Sequence, residues 1–157
     1  MQVVTSYTYL GYIVFNNYID DMDIKRQARS FYAYANLLIR KFVNCNSAVK
    51  LSLFRTYCIN MYCSHLWWTY SKTCMNNIRV AYNNAFRILM GFQRDCSASG
   101  MFVSNDIHTF DALRRKLIYK FSVRLHSSDN SLTLVTRNSD AFLYSTFHAI
   151  YRNVMYF

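Results

Sequence analysis

Residues 23–42, DIKRQARSFYAYANLLIRKF, decide most of the fold that the sequence predicts. At 100° per residue their core-type side chains share one narrow stripe, made of Ile24, Ala28, Phe31, Ala35, Leu38 and Phe42. The cations lie away from that stripe, at Lys25, Arg26, Arg29 and Arg40. The segment therefore predicts an amphipathic helix of about 20 residues and roughly 30 Å, packed on a core. Its basic side is either simply solvated or an anion-binding surface, and this helix alone favours the first interpretation.

The composition favours a helical domain. Of 157 residues, 53% are hydrophobic and 18% aromatic, enough apolar material for a core without disulfides or metals. Proline is absent and glycine occurs three times, whereas all-β folds normally use both in their turns. We predict one mainly α domain over residues 1–157, a helical bundle of about five to seven helices preceded by a short N-terminal β element. Residues 1–16 would be β, 20–126 the helical core and 130–157 a weaker helical tail.

The charge points to a polyanionic partner. Eighteen Lys and Arg stand against eight acids, all of them Asp, which leaves a net charge of +10. A strongly basic domain most often binds nucleic acid, and an anionic membrane surface is the second choice. Aromatic residues are spread through every predicted helix, and no stretch reaches the roughly 18 apolar residues of a membrane span. No membrane partner is therefore predicted.

The cysteines do not indicate disulfides or a metal site. The five are Cys45, Cys58, Cys63, Cys74 and Cys96, without the spacing of a disulfide framework. Residues 1–6 do not resemble a signal peptide, so we expect reduced thiols in an intracellular protein of the nucleus or cytoplasm. His65 lies close to Cys58 and Cys63, but the cluster lacks a C-x2-C pair and a second half-site. Packed core thiols are favoured there, and no metal or other cofactor is predicted.

The N-terminal segment is the strand-like part of the chain. Residues 2–14 are rich in β-branched and aromatic side chains, and Gly11 interrupts them as a bulge or a close backbone approach would require. Asn16 and Asn17 then turn the chain. The aspartates that follow, Asp20, Asp21 and Asp23, are interpreted as partners of the dipole of the first helix.

Capping residues delimit the later helices. Ser47 is the predicted N-cap of the second helix, and a break is expected between Asn60 and Ser64. Trp67 and Trp68, just beyond the break, are expected in the core. Further helices are predicted at 72–90 with Ser71 as N-cap and Gly91 as C-terminal residue, at 97–103, at 110–125 with Thr109 as N-cap, and more weakly at 141–156.

The helix predicted at 110–125 carries a second group of cations. Arg115, Lys116 and Lys120 point outward on its helical wheel. Arg114 falls within the apolar sector, so it must extend its head group to solvent, pair with an Asp, or reach a ligand.

Together these motifs resemble one family. They are Tyr9-Leu10-Gly11 after a strand, RQAR at 26–29, YAN at 34–36, RKF at 40–42, LFRTYC at 53–58, LW at 66–67, AYNNA at 81–85, SAS at 97–99, MFV at 101–103 and TFDALRRK at 109–116. The array resembles the region just after the palm in the reverse transcriptases of LINE-type (non-LTR) retrotransposons, and it covers about residues 7–140. Two prolines typical of the family are replaced here, at positions held by residues such as Asn60 and Gln93.

The resemblance implies a thumb-like module that binds the template–primer duplex. Its Leu-Gly strand is the primer grip, so Tyr9, Leu10 and Gly11 would contact the primer end, where glycine permits close approach. Phosphates would be held by the cations of the first helix: Lys25, Arg26, Arg29, Arg40 and Lys41. A second basic patch would comprise Arg114, Arg115, Lys116 and Lys120. The implied partners are RNA or an RNA–DNA duplex, and the upstream palm of the parent polymerase.

Polymerase activity is not expected from this sequence by itself. The paired catalytic aspartates of the family belong to the palm, and the three aspartates at 20–23 lack its strand–turn–strand setting. Two other functions remain open: a helical interaction module that docks on a palm, and a non-functional remnant of a decayed element, which the lost prolines and the absence of Glu would fit.

Overall fold

The structure, a computed structural model, describes residues 4–155 apart from the side chains of Phe147, Val154 and Met155. Its strands are β1 (Ser6–Tyr9) and β2 (Tyr12–Phe15). Its α-helices are α1 (Asp21–Phe42), α2 (Ser47–Tyr57), α3 (Lys72–Met90), α4 (Ala98–Val103), α5 (Phe110–His126), α6 (Ser131–Arg137), α7 (Asp140–Leu143) and α8 (Thr146–Met155). The predicted class, mainly α with a short N-terminal β element, is confirmed.

The N-terminal strands form a hairpin rather than one interrupted strand. β1 and β2 pair antiparallel with Tyr9 opposite Tyr12, so Leu10 and Gly11 form a two-residue turn. Both have positive φ, +46° at Leu10 and +81° at Gly11. Two successive positive φ values match the right-handed twist of a hairpin, and glycine adopts them without strain. The bulge predicted at Gly11 was therefore wrong, and the predicted strand residues Gln2 and Val3 lie outside the described residues.

Helices α1 and α3 form the centre of the fold. The buried side of α1 carries the predicted stripe, with Ile24, Phe31, Ala35 and Leu38 each at most 4% exposed. From α3, the fully buried Tyr82 makes ring contacts with Phe31, Phe54, Phe102 and Phe110 at centroid distances of 5.4 to 6.1 Å. Several of the chain's many aromatic side chains thus pack in one core around Tyr82. The Tyr82 hydroxyl donates a hydrogen bond to the carbonyl oxygen of His108 at 2.9 Å.

Most helix ends follow the predicted capping residues. The hydroxyls of Ser71 and Thr109 accept from the third residue of α3 and α5, and Gly91 ends α3 in the left-handed conformation. In α2 the cap is Asn46 rather than Ser47, because the Asn46 side chain accepts from Val49 N at 2.9 Å. The prediction at Ser47 was wrong by one residue.

The segment between α2 and α3 breaks as expected. It holds only a short 3₁₀ turn, Ser64–Leu66, after Cys63 with φ of +62°. Trp67 is fully buried, as predicted, whereas Trp68 is only half-buried. The segment is held by α5 and by the start of α1, so its conformation depends on residues distant in sequence.

The tail consists of three short helices instead of one helix at 141–156. Asn130 is the N-cap of α6 and Ser139 is the N-cap of α7, so a new helix begins after each of these residues. Tyr156 lies outside the described residues. Within residues 4–155, no helix is both long and apolar enough to cross a membrane.

Candidate nucleic-acid interface

A buried carboxylate fixes the start of α1. Asp23 is fully buried, and its oxygens accept hydrogen bonds from Ile13 N at 3.2 Å, Arg26 Nε at 2.7 Å and Trp67 Nε1 at 2.8 Å. Three parts of the chain therefore meet at one side chain: the hairpin, α1 and the segment before α3. Asp23 does lie in the first turn of α1, where it complements the helix dipole, but most of its hydrogen bonds are tertiary.

Asp20 completes this junction one residue before α1. Its carboxylate accepts from the Tyr12 hydroxyl and from the backbone N–H groups of Trp68 and Thr69, at 2.7 and 2.9 Å. Burial, followed by the hydrogen bond to Asp20, raises the pKa of the Tyr12 hydroxyl. Both buried aspartates thus accept hydrogen bonds from protein donors, and no local sequence pattern predicts these long-range bonds.

Arg26 is not the freely exposed cation that the sequence predicted. Its Nε donates to Asp23, its side chain is 29% exposed, and its Nη2 is buried without a hydrogen-bond partner. The i,i+3 spacing of Asp23 and Arg26 was the available sequence signal for this pair. Arg26 therefore belongs to the junction rather than to an outward-facing stripe.

The remaining predicted cations of α1 form a row, the α1 row, defined as Lys25, Arg29 and Arg40. All three are exposed. At 100° and 1.5 Å per residue they share an arc of about 60° and extend over roughly 22 Å. Within the described residues the ion pairs are Asp23–Arg26, Asp106–Arg55 and Asp111–Arg79, so none involves the α1 row. Its cations are therefore available to an external anion.

Lys41 is exposed but lies on another side of α1. Adjacent helical residues are about 100° apart, so Lys41 points away from Arg40 and from the α1 row. Two cations of the α1 row, Lys25 and Arg29, border a hollow of about 420 Å³ between α1 and α3, together with Tyr32 of α1 and Val80 of α3. The predicted group of five α1 cations is thus divided into the α1 row, Lys41 on another side of the helix, and Arg26, which is ion-paired with Asp23.

The hairpin tip is exposed to solvent. Tyr9 is 61% and Leu10 74% exposed. Tyr62 contacts the tip, since its hydroxyl donates a hydrogen bond to Leu10 O at 2.7 Å. An added Cβ on Gly11 would lie 3.4 Å from Tyr62 Cε1, an ordinary contact distance, so the positive φ rather than a close approach favours glycine here.

Arg114 does not belong to the second basic patch. Its guanidinium donates to Trp67 O at 2.7 Å and to the Tyr70 hydroxyl at 2.8 Å, and it lies 4.8 Å from the Tyr70 ring centroid. None of the three predicted solutions occurs, because the two Nη atoms donate to a backbone carbonyl and a tyrosine hydroxyl inside the protein, while Nε is buried without a hydrogen-bond partner among the described residues. The side chain anchors α5 to the segment before α3.

The outward cations of α5 form a second row, the α5 row, defined as Lys116, Lys120 and Arg124. They recur every four residues, are exposed, and share an arc of about 80°. Arg124 was missed in the sequence, although its i,i+4 spacing from Lys120 was a signal. Lys116 contacts His108 Nε2 at 2.8 Å. Arg115 is exposed on another side of α5, about 100° from Lys116.

The α5 row borders a hollow of about 610 Å³ between α5 and residues 60–65. Tyr62 and Tyr119 line its two walls, with Lys120 and Arg124 from the α5 row. His65 also lines it, and burial, aided by the charge of Arg124, lowers the pKa of this imidazole. Because Tyr62 also bonds to Leu10 O, this hollow lies next to the hairpin tip.

The cysteines give no metal-binding geometry in the described part of the chain. All five are free thiols, with Cys58, Cys63 and Cys74 buried. Burial raises the pKa of the Cys58 thiol to about 12. Among residues 4–155, no group of three or more His, Cys or Asp side chains could hold a metal ion.

Comparison with known proteins found no significant match: no family model, curated protein or solved structure is similar to this chain.

Proposed function

We propose that the chain binds a nucleic-acid duplex, as the thumb-like part of a reverse transcriptase of the LINE type. The observation that carries this proposal is the α1 row: three exposed cations on one side of one helix, without acidic partners among the described residues. A row of this kind matches a line of phosphates, which fixes position without reading sequence. The α5 row and the exposed hairpin tip would supply further contacts, the tip at the primer end.

The preferred target is an RNA–DNA hybrid or RNA duplex, and such a protein would work in the nucleus or cytoplasm. The chain would have no polymerase activity by itself. Asp20 and Asp23 are the buried acids at the start of α1, and their carboxylates are engaged by protein donors. Two-metal phosphoryl transfer needs carboxylate oxygens open to the metals, and these are not.

The first test is sequence-independent binding. The purified chain is titrated with several RNA–DNA hybrids of about 20 base pairs and unrelated sequence, at physiological salt, with fluorescence anisotropy as readout. We expect similar dissociation constants, on the order of 10⁻⁴ to 10⁻⁶ M. Phosphatidylserine vesicles serve as a polyanionic control. Tighter binding to the vesicles than to every hybrid would contradict the proposal.

A docking module for a polymerase palm is the second candidate, favoured by one observation. Among the described residues β1 pairs only with β2, which leaves its other edge free, and all four of its residues are exposed, with Tyr7 and Tyr9 more than 60% exposed. An exposed edge strand is a common site for pairing with another chain. Co-purification with a LINE-type palm, lost when Thr8→Pro blocks the strand edge, would favour this candidate over direct duplex binding.

A further inference from the structure

A polar hollow of about 330 Å³ lies between α1 and α2, and its lining includes no cation of the α1 row or the α5 row. The polar side chains that line it include Arg26, Gln27, Ser30, Tyr34, Tyr57 and Asn60. Hollows of this size accommodate small ligands, and those that bind ligands place a few polar groups at fixed positions.

Arg26 gives the hollow a pre-positioned donor. The guanidinium is fixed at Nε by the fully buried Asp23, while Nη2 is buried and has no protein partner. Buried donors without partners are rare in folded proteins, and each one calls for an explanation such as a ligand. The arginine fork is suited to the oxygens of a phosphate, to which it can donate two parallel bonds.

Neighbouring side chains extend this donor set. Gln27 is buried except for 6% of its surface, yet its amide makes no hydrogen bond within the described residues, as is also true of the Ser30 hydroxyl. Both residues follow Arg26 on α1 and line the same hollow. A guanidinium, an amide and a hydroxyl on one wall form a donor-rich surface with one positive charge.

Two tyrosines close the other side. The rings of Tyr34 and Tyr57 stack at a centroid distance of 6.3 Å with an interplanar angle of 29°, and each side chain is about half exposed. Aromatic rings beside a phosphate site provide a surface for a sugar or a base. Tyr62 also lines this hollow and contacts the hairpin tip, so the hollow lies next to Leu10.

We propose that this hollow binds a single phosphate-bearing sugar, of the kind found in one nucleotide unit of a strand. The phosphate would accept hydrogen bonds from the Arg26 guanidinium, Gln27 and Ser30, and the sugar or base would pack on Tyr34 and Tyr57. This inference rests on the proposed function and adds a discrete nucleotide site to it, near the hairpin tip and independent of the α1 row.

The test uses the full chain and four small probes: ribose 5-phosphate, adenosine monophosphate, adenosine and inorganic phosphate. Binding is followed by NMR chemical shifts and isothermal calorimetry at low salt. We expect adenosine monophosphate and ribose 5-phosphate to bind, and each to bind at least about tenfold more tightly than adenosine or inorganic phosphate. A tenfold difference in dissociation constant corresponds to about 1.4 kcal/mol, as expected when the probe lacks either the phosphate or the sugar.

Matched variants locate the site. Asn60→Asp adds a negative charge at an exposed residue that lines this hollow and also the hollow beside the α5 row, whereas Asn44→Asp adds the same charge at an exposed residue that lines neither. We expect Asn60→Asp to weaken adenosine monophosphate binding at least about tenfold, and Asn44→Asp to leave it within about twofold. Ser30→Leu, which fills the hollow and leaves the Arg26–Asp23 pair in place, should abolish binding.

Three results would overturn the inference: no binding of the two phosphosugars, equal binding to Asn60→Asp and Asn44→Asp, or inorganic phosphate binding as tightly as ribose 5-phosphate. Failure here is separable from failure of the proposed function. If the small probes fail while hybrid duplexes still bind in a salt-dependent manner, the duplex proposal stands without this site.

Discussion

The indole N–H of Trp67 donates to the carboxylate of Asp23 at 2.8 Å, and both side chains are fully buried. This bond joins the first turn of α1 to the segment that precedes α3. The same carboxylate also holds Arg26 and the backbone of Ile13 in the hairpin. Asp23 therefore helps to set the position of the exposed hairpin tip relative to α1, together with Asp20, which accepts from the Tyr12 hydroxyl.

Asp23→Ala should cost more stability than any surface substitution. It removes the acceptor of three donors and leaves the Arg26 charge without its partner, so we expect a loss of about 3–5 kcal/mol. Trp67→Phe, which removes one donor and some packing, should cost about 1–3 kcal/mol. Urea unfolding followed by circular dichroism measures both, with the exposed Asp129→Asn as control. Equal midpoints for Asp23→Ala and Asp129→Asn would show that the junction is not stabilising.

Two glycines should respond in opposite directions to alanine. Gly91 has φ of +76° and open space around it, so Gly91→Ala introduces only backbone strain, about 1–2 kcal/mol. Gly100 lies within α4, and an added Cβ would have 3.7 Å to its nearest neighbour. Gly100→Ala should therefore stabilise by about 0.5–1 kcal/mol. Thermal unfolding of the two variants should shift the midpoint down for the first and up for the second.

The thiols should divide into two groups by reactivity. Burial raises the pKa of Cys58 to about 12 and also raises the pKa of Cys63 and Cys74, so little thiolate forms at pH 8. Iodoacetamide under native conditions should therefore label Cys45 and Cys96, the half-buried pair, first. Peptide mass spectrometry determines the order in which the cysteines are alkylated. Labelling in urea, where all five react, provides the reference. Fast native labelling of Cys58 would contradict its burial.

His65 should make the fold sensitive to mild acid. Burial, with a smaller effect of Arg124, lowers its pKa in the folded state below the value of about 6.5 expected in the unfolded chain. Below about pH 6.5 the unfolded state therefore binds more protons, and stability falls as the pH drops toward the folded pKa. Urea midpoints from pH 7.5 to 5.0 should fall less in His65→Gln than in the natural chain. An identical pH dependence in the two proteins would exclude His65 as a cause.

The parts that the sequence predicted well are those fixed by local patterns. The buried stripe of α1 follows from a 3.6-residue period, and the caps at Ser71 and Thr109 follow from side chains that serve the next turn. The hairpin was missed because the turn at Leu10 and Gly11 needs positive φ at a leucine, which turn statistics do not favour. Tyr62 compensates by bonding to Leu10 O, a contact between residues far apart in sequence.

The candidate site was predicted only in part, for a similar reason. Lys25 and Arg26 are adjacent and chemically alike, yet one is exposed and the other bonds to Asp23. A helical wheel places both off the apolar stripe and cannot show that α1 is covered on the Arg26 side by the hairpin and α2. Arg114 was ambiguous for the same reason, and its partners Trp67 and Tyr70 come from the irregular segment before α3.

The most direct test of duplex binding is charge reversal of the α1 row. The triple variant Lys25→Glu, Arg29→Glu, Arg40→Glu omits Arg26, which is ion-paired with the buried Asp23, and lowers the formal net charge from +10 to +4. A control with the same charge change, Lys72→Glu, Arg94→Glu, Arg152→Glu, alters exposed cations elsewhere. Unfolding curves of both variants should stay close to that of the natural chain, because all six residues are exposed.

The measurement is the slope of log K against log salt for an RNA–DNA hybrid, for the natural chain and for both variants. If each cation of the α1 row contacts one phosphate, the slope should become shallower by roughly 2.7 in the α1-row variant, since each lost contact removes about 0.9. Affinity should fall alike for hybrids of every sequence, and the control should keep most of the natural slope. An α1-row variant with the affinity and slope of the control would show that the row is merely a solvated face of α1.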